Sequence, residues 1–172
     1  MDIYFQKCKK EDFENYYLLK CDKENIIWTG HKNKPNKDKL KLWFNKQLKR
    51  TDRIIFLVKT KELFSNTALG YLYIDIMEED SYEKIVDVGY GVNSKYTKRG
   101  IGTNIIKFAI DYVTINFPFI DTITAWVAYN NNGSIKVFLR NKFIKTKEIK
   151  KEFFEGFNKE ILMEKYIYKI KR

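Results

Sequence analysis

The sequence predicts an α/β fold built on a mixed sheet, and three observations carry that prediction. Short runs of β-branched and aromatic residues alternate with longer segments whose apolar residues recur every three or four positions. The runs and segments follow the order β-α-α-β-β-β-α-β-α-β-β. A glycine pair, Gly100 and Gly102, stands where a strand gives way to a helix.

Ile3–Cys8 reads as a first strand. Asp12 is placed to cap a helix whose apolar positions are Phe13, Tyr16, Tyr17 and Leu19. Residues 22–39 read as a long polar loop holding Trp28, Gly30, His31 and Pro35, and long loops are often functional. Leu40, Trp43, Phe44 and Leu48 give the next helix, 37–48, one buried face. Ile54–Val58 and Ala68–Met77 form a hairpin that turns near Asn66, and the acidic segment 78–81 reads as a turn before strand Ile85–Val92. A helix from Thr103 to about Ile115 carries a stripe of Ile105, Ile106, Ala109, Ile110 and Val113. Ile123–Ala128 is the next strand, and Asn131 or Asn132 caps a short helix, 134–140. The segment from Phe143 onward and Ile161–Tyr168 close the order as an antiparallel pair, with a loop or bulge over 152–158.

Length and composition suit one domain spanning 1–172, since 44% hydrophobic and 16% aromatic residues suffice for a core. The formal charge of +11 comes from lysines spread along the whole chain. It reads as solvated surface, and no nucleic-acid partner is expected. No apolar run approaches the ~18–20 residues of a membrane span, and Met1-Asp-Ile-Tyr lacks a basic and apolar leader. Cys8 and Cys21 have neither metal nor disulfide-framework spacing. These features suggest a cytoplasmic protein, monomer or homodimer, that uses no metal and no membrane.

The chemistry concentrates between residues 86 and 103. A buried strand, a glycine turn and a helix start together make an anion site. The first turn of a helix leaves backbone N–H groups unpaired at the positive end of the dipole. Gly100 and Gly102 let the backbone come close to a phosphate, and Lys98 and Arg99 add charge. The spacing is not that of a P-loop. A dinucleotide fingerprint begins at Gly89-Tyr-Gly91 but fails at Ser94.

From Gly89 to Phe143 the sequence resembles the GNAT superfamily of acetyl-CoA-dependent N-acetyltransferases. The family's loop of Arg or Gln, two residues, Gly, one residue, then Gly or Ala falls on Thr97-Lys-Arg-Gly100-Ile-Gly102, and Thr103 opens the helix. Asn131 and Ser134 match a second motif, and the family's Gly-Phe after the last helix matches Lys142-Phe143 with the glycine replaced. Thr97 also departs from the pattern, at a position that shapes the turn.

The resemblance implies a GNAT-like mixed, mostly antiparallel central sheet with helices on both faces. It implies acetyl-CoA as co-substrate and a small-molecule or peptide amine as acceptor: an amino sugar or similar, or a protein N-terminus. The pyrophosphate would rest on Lys98, Arg99, Gly100, Ile101, Gly102 and Thr103. Tyr90, Gly91 and Val92 would offer backbone N–H groups to the thioester; Asn131 would contact the pantetheine arm or order the end of its strand, Ser134 would support the following helix, and both count with Phe138 among the cofactor-binding residues. Phe138 stands where many members carry a tyrosine that protonates the leaving thiolate, and a phenylalanine has no proton to give.

Other roles stay open. Asp87 shares a face with Gly89, Gly91 and Asn93 and is either the general base or a carboxylate paired with a lysine. His31, the single histidine, is a second candidate base or an acceptor contact. Trp28, Tyr73 and Asp75 are candidate acceptor contacts, whereas Trp43 and Trp126 read as core. With Phe138 in that place, either a tyrosine hydroxyl substitutes, with Tyr129 preferred over Tyr90 because alternation turns Tyr90 away from Asp87, or the thiolate leaves unaided. A non-catalytic acyl-CoA-binding or sensor domain is the alternative function, and a basic nucleic-acid-binding domain is a third.

Overall fold

The computed structural model describes residues 2–61, 67–79 and 83–171. Seven strands form one sheet in the order β1-β2-β3-β4-β5-β7-β6. They are β1 (Ile3–Lys7), β2 (Arg53–Thr60), β3 (Ala68–Glu79), β4 (Glu83–Val92), β5 (Thr122–Ala128), β6 (Ile144–Phe154) and β7 (Lys159–Lys169). Every neighbouring pair is antiparallel except β4 with β5. Helices cover both faces: α1 (Phe13–Lys20), α2 (Lys23–Trp28) and α3 (Lys37–Gln47) on one, α4 (Ile101–Asn116) and α5 (Asn132–Arg140) on the other.

The two-residue period of the strands decides which side chain meets which layer. On β2, Phe56 and Val58 join the core under α4 with Leu72, Val86, Ile123, Ile105 and Ala109. Their neighbours Ile55 and Leu57 turn the other way, against Phe13, Tyr16, Leu19 and Phe44. A mostly antiparallel sheet with helices on both faces is therefore the direct outcome of continuous apolar strands.

The structure corrects several sequence expectations. The segment 22–39 is not all loop, because α2 lies within it. Asp22 caps α2, accepting from the Glu24 and Asn25 N–H groups at 3.0 and 3.4 Å. Six residues are too few for a helical period to show. Asp22 also accepts from the Ser94 N–H and hydroxyl at 2.9 and 2.7 Å, fastening α2 to the segment that follows β4. α4 starts at Ile101 rather than Thr103. The first strand stops at Lys7, and β6 runs on to Phe154. Residues 78 and 79 belong to β3 rather than to a turn, while 80–82 and the Asn66 turn lie outside the described residues. Trp43 is not core: it is 37% exposed, stacked on the Tyr16 ring and edge-on to Tyr73.

The functional consequence lies in how β4 and β5 part. Their ladder holds only Ile85↔Thr122, Val86↔Ile123 and Asp87↔Thr124. β4 continues pairing with β3 as far as Val92↔Gly70. From Val88 to Val92 the edge of β4 that faces β5 therefore carries no ladder, and a wedge opens in the middle of the sheet.

Candidate active site

The wedge is a cleft of about 890 Å³. Its walls are Val88–Val92 of β4 and Trp126–Ala128 of β5, and its ends reach the first turns of α4 and α5 on one face and α2 on the other. It crosses the sheet, so a long ligand could enter from the α4 side and present its tip to the α2 side.

The α4 end combines a glycine-bearing helix start with basic side chains. Gly100 sits at the N-cap with φ +77, a left-handed backbone that glycine adopts freely, and it offers no side-chain cap. The first helical bond runs from the Asn104 N–H to the Gly100 carbonyl at 3.0 Å, so the Ile101, Gly102 and Thr103 N–H groups precede it. At Gly102 an added Cβ would lie 3.1 Å from Tyr90 Cε2 and 3.2 Å from Val137 Cγ2. Lys98, Lys136 and Arg140 line the same end and supply cations. Lys98 itself holds a left-handed φ of +62. Asn131 Oδ1 accepts the Ser134 N–H at 3.1 Å and so caps α5.

The α2 end is aromatic. Trp28, Tyr71, Tyr73, Trp126 and Met163 line it beside Asn25 and Thr29. Glu24 accepts the Trp28 indole N–H at 3.1 Å, and Phe157 packs 5.8 Å from the indole. Lys150 lies over the Trp126 ring at 4.6 Å. The Tyr73 hydroxyl is bonded to that of Tyr16.

Where the strands part, Asp87 and Thr124 form the last paired register, and the Thr124 hydroxyl donates to the Asp87 carboxylate at 2.7 Å. Burial raises the Asp87 carboxyl from 3.8 to about 6, opposed by the Thr124 bond and abetted by the charge of Asp75. Asp75 stands opposite Asp87 on β3, and Arg53 grips it with two bonds of 2.5 and 2.7 Å.

The sequence matches the acetyltransferase (GNAT) domain over residues 2–144. The chain belongs to the GNAT acetyltransferase family. No curated protein matches it. Among solved structures it is similar to spermidine N-acetyltransferase from Vibrio cholerae in complex with CoA and spermine, with a TM-score of 0.80 at 14% identity over 98% of this chain and 95% of that one. It is similar to ribosomal-protein-alanine N-acetyltransferase from Brucella melitensis, with a TM-score of 0.78 at 12% identity over 97% and 99%. A Salmonella typhimurium structure with its cofactor acetyl-CoA gives a TM-score of 0.72 at 13% identity over 100% and 96%. At such identities these likenesses show the fold. No helix among the described residues is long and apolar enough to cross a membrane.

In this GNAT fold the expected cofactor residues Tyr90, Gly91, Val92, Lys98, Gly100, Ile101, Gly102, Thr103, Asn131, Ser134 and Phe138 all line the cleft, as do Trp28 and Tyr73. Arg99 does not, because its guanidinium covers the Tyr96 ring at 5.6 Å. Asp87 does not line the cleft: it sits at the vertex, in the last paired register, and the lining of β4 begins at Val88. His31 is exposed and borders the β6–β7 loop, where an added Cβ on Gly156 would come within 2.9 Å of its carbonyl. Asp75 is engaged by Arg53 on the rim of a separate groove. Tyr129 is 48% exposed and outside the cleft, its N–H bonded to the Leu162 carbonyl at 2.9 Å. Of the two candidate acids, Tyr90 lines the cleft and Tyr129 does not. Sequence reasoning missed Lys136, Arg140, Asn25 and Tyr71, and it assigned Trp126 to the core. The spacing of Lys136 and Arg140 from Asn132, one and two helical turns along, was the available signal.

Proposed function

We propose that the protein is an N-acetyltransferase that moves the acetyl group of acetyl-CoA to a primary amine of a small molecule, an amino sugar or similar, or of a protein N-terminus. The observation that carries this reading is the parting of β4 from β5 directly beyond Asp87 and Thr124. It sets a carboxylate of raised pKa at the vertex of a cleft that runs from a free strand edge to the first turn of α4.

The residues fit the donor. The N–H groups of Ile101, Gly102 and Thr103, with Lys98, Lys136 and Arg140, suit a pyrophosphate. The free edge of β4 suits the amides of a pantetheine chain and the polarised carbonyl of a thioester. Acetyl-CoA, once bound, supplies the electrophilic acyl carbon. The aromatic walls of Trp28, Tyr73 and Trp126 hold the body of the acceptor on the α2 side. Asp87 receives a proton from the acceptor nitrogen through water in the space left by Gly89. A carboxylate at about 6 is a stronger base than one at 3.8, and the gain comes from burial.

Incubation of the protein with acetyl-CoA and a panel of amino sugars, polyamines and peptide N-termini, read by thiol release and product mass, tests the reading. Acetylated product from at least one class is expected. Tight acetyl-CoA binding without turnover on any class favours the non-catalytic acyl-CoA-binding alternative.

A further inference from the structure

We propose that Tyr90 protonates the departing thiolate, with Ser134 positioning its phenol, an assignment that rests on the acetyl-transfer reading above. Release of a thiolate inside a partly closed cleft calls for a proton or a strong hydrogen-bond donor. Four phenols line the cleft, and three lie off the free stretch of β4, Tyr71 and Tyr73 on β3 and Tyr96 in the turn after Asn93. The Tyr71 hydroxyl accepts from Lys20 at 3.4 Å, and Tyr73 is bonded to Tyr16, both under α1. Tyr96 lies under Arg99 at the outer mouth.

Tyr90 differs from these in origin and direction. It belongs to the five-residue stretch of β4 whose edge is free, the stretch that would hold the thioester. Its ring crosses to the α4 and α5 side, 5.9 Å from Phe138 and in contact with the first turn of α4. Its hydroxyl donates to Ser134 Oγ at 3.2 Å, at the start of α5. The phenol therefore bridges the strand edge and the α5 turn, and it supplies a proton-bearing group beside the Phe138 ring, which has none.

The proton balance closes. The C–S bond breaks with its electron pair passing to sulfur, the Tyr90 O–H bond breaks, and an S–H bond forms. Tyr90 recovers a proton from the Ser134 hydroxyl, which is resupplied by solvent at the α5 turn. Two protons leave the acceptor ammonium on its way to the amide, one is balanced by the new thiol, and one is released per turnover. Burial raises the Tyr90 phenol to about 12, so it stays protonated through the neutral range. The same burial raises the proton affinity of a thiolate beside it.

The test compares wild type, Tyr90→Phe, Tyr90→Phe with Phe138→Tyr, and Ser134→Ala. The readouts are acetyl-CoA affinity by calorimetry and kcat with a working amine across pH 6–10. Tyr90→Phe is expected to keep acetyl-CoA affinity within about threefold while kcat falls by about 10²-fold, the scale of a lost general acid. The added Phe138→Tyr is expected to recover at least about a tenth of the lost rate. If Tyr90→Phe does not fold, Ser134→Ala carries the test. It is expected to lower kcat about tenfold, change the pH profile and leave affinity intact. Wild-type kcat in a folded Tyr90→Phe, or in Ser134→Ala where that variant carries the test, overturns the assignment while leaving the acetyltransferase reading in place. A wild-type protein that binds no acetyl-CoA overturns both.

Discussion

The hydroxyl of Thr124 donates a 2.7 Å hydrogen bond to the carboxylate of Asp87 at the last rung of the only parallel ladder in the sheet of the described residues. One bond thus closes the vertex of the cleft and tunes the group that stands there. It favours the charged form of Asp87, while burial and the Asp75 charge favour the neutral one. Thr124→Val is expected to raise the Asp87 pKa above about 6 and carry the acid limb of the rate profile with it, as pH–rate measurements on both proteins will show.

The same carboxylate has a signed effect on stability. Its folded pKa, about 6, exceeds its ordinary 3.8, so the folded state binds the proton more tightly. Its contribution is therefore most favourable below pH 3.8 and is lost as pH rises through about 6. Asp87→Asn should raise the thermal midpoint at pH 7, and that gain should vanish toward pH 4, which melting curves at the two pH values check.

Gly102 and Gly100 should separate in their effects. An added Cβ at Gly102 crowds Tyr90 and Val137 at 3.1 and 3.2 Å, whereas one at Gly100 meets nothing within 4 Å. Gly102→Asp, which also brings a negative charge to the helix start, is expected to weaken acetyl-CoA binding at least about 100-fold. Gly100→Ala is expected to cost about 1 kcal/mol of stability for its left-handed φ, with a far smaller change in affinity. Calorimetric titration and denaturant melts distinguish the two.

Lys142 holds a left-handed φ of +64 between α5 and β6. This is the position at which the sequence departs from the Gly-Phe pattern, and the backbone has kept the shape that glycine suits. Lys142→Gly is expected to stabilise the protein by about 1 kcal/mol, as measured by urea unfolding, with activity unchanged.

The layers of the fold were legible because β2, β3 and β5 carry continuous apolar runs and α4 a clean stripe. The α4 end of the cleft was legible because two glycines at a helix start mark a close backbone approach beside unpaired N–H groups. The α2 end was not. α2 is too short to show a period, and it brings Trp28 and Asn25 into the cleft from a segment that read as loop. Trp126 looked like core, since its strand neighbours are buried, yet β5 diverges at that point and opens its face. Tyr90 and Tyr129 could be ranked only by local alternation. The contact of Tyr90 with Ser134 joins residues 44 positions apart, beyond the reach of any periodicity.

If Asp87 takes a proton during acetyl transfer at the β4–β5 cleft, the pH dependence of that transfer reports it. Acetylated amine is to be quantified by mass across pH 5–9 for wild type and Asp87→Asn with saturating acetyl-CoA. In wild type the rate should climb as Asp87 loses its proton near pH 6 and then level off. Asp87→Asn should bind acetyl-CoA normally, lose that limb and turn over at least about 10²-fold more slowly. An Asp87→Asn protein with wild-type rate and an unchanged profile would show that Asp87 takes no part in the proton transfer.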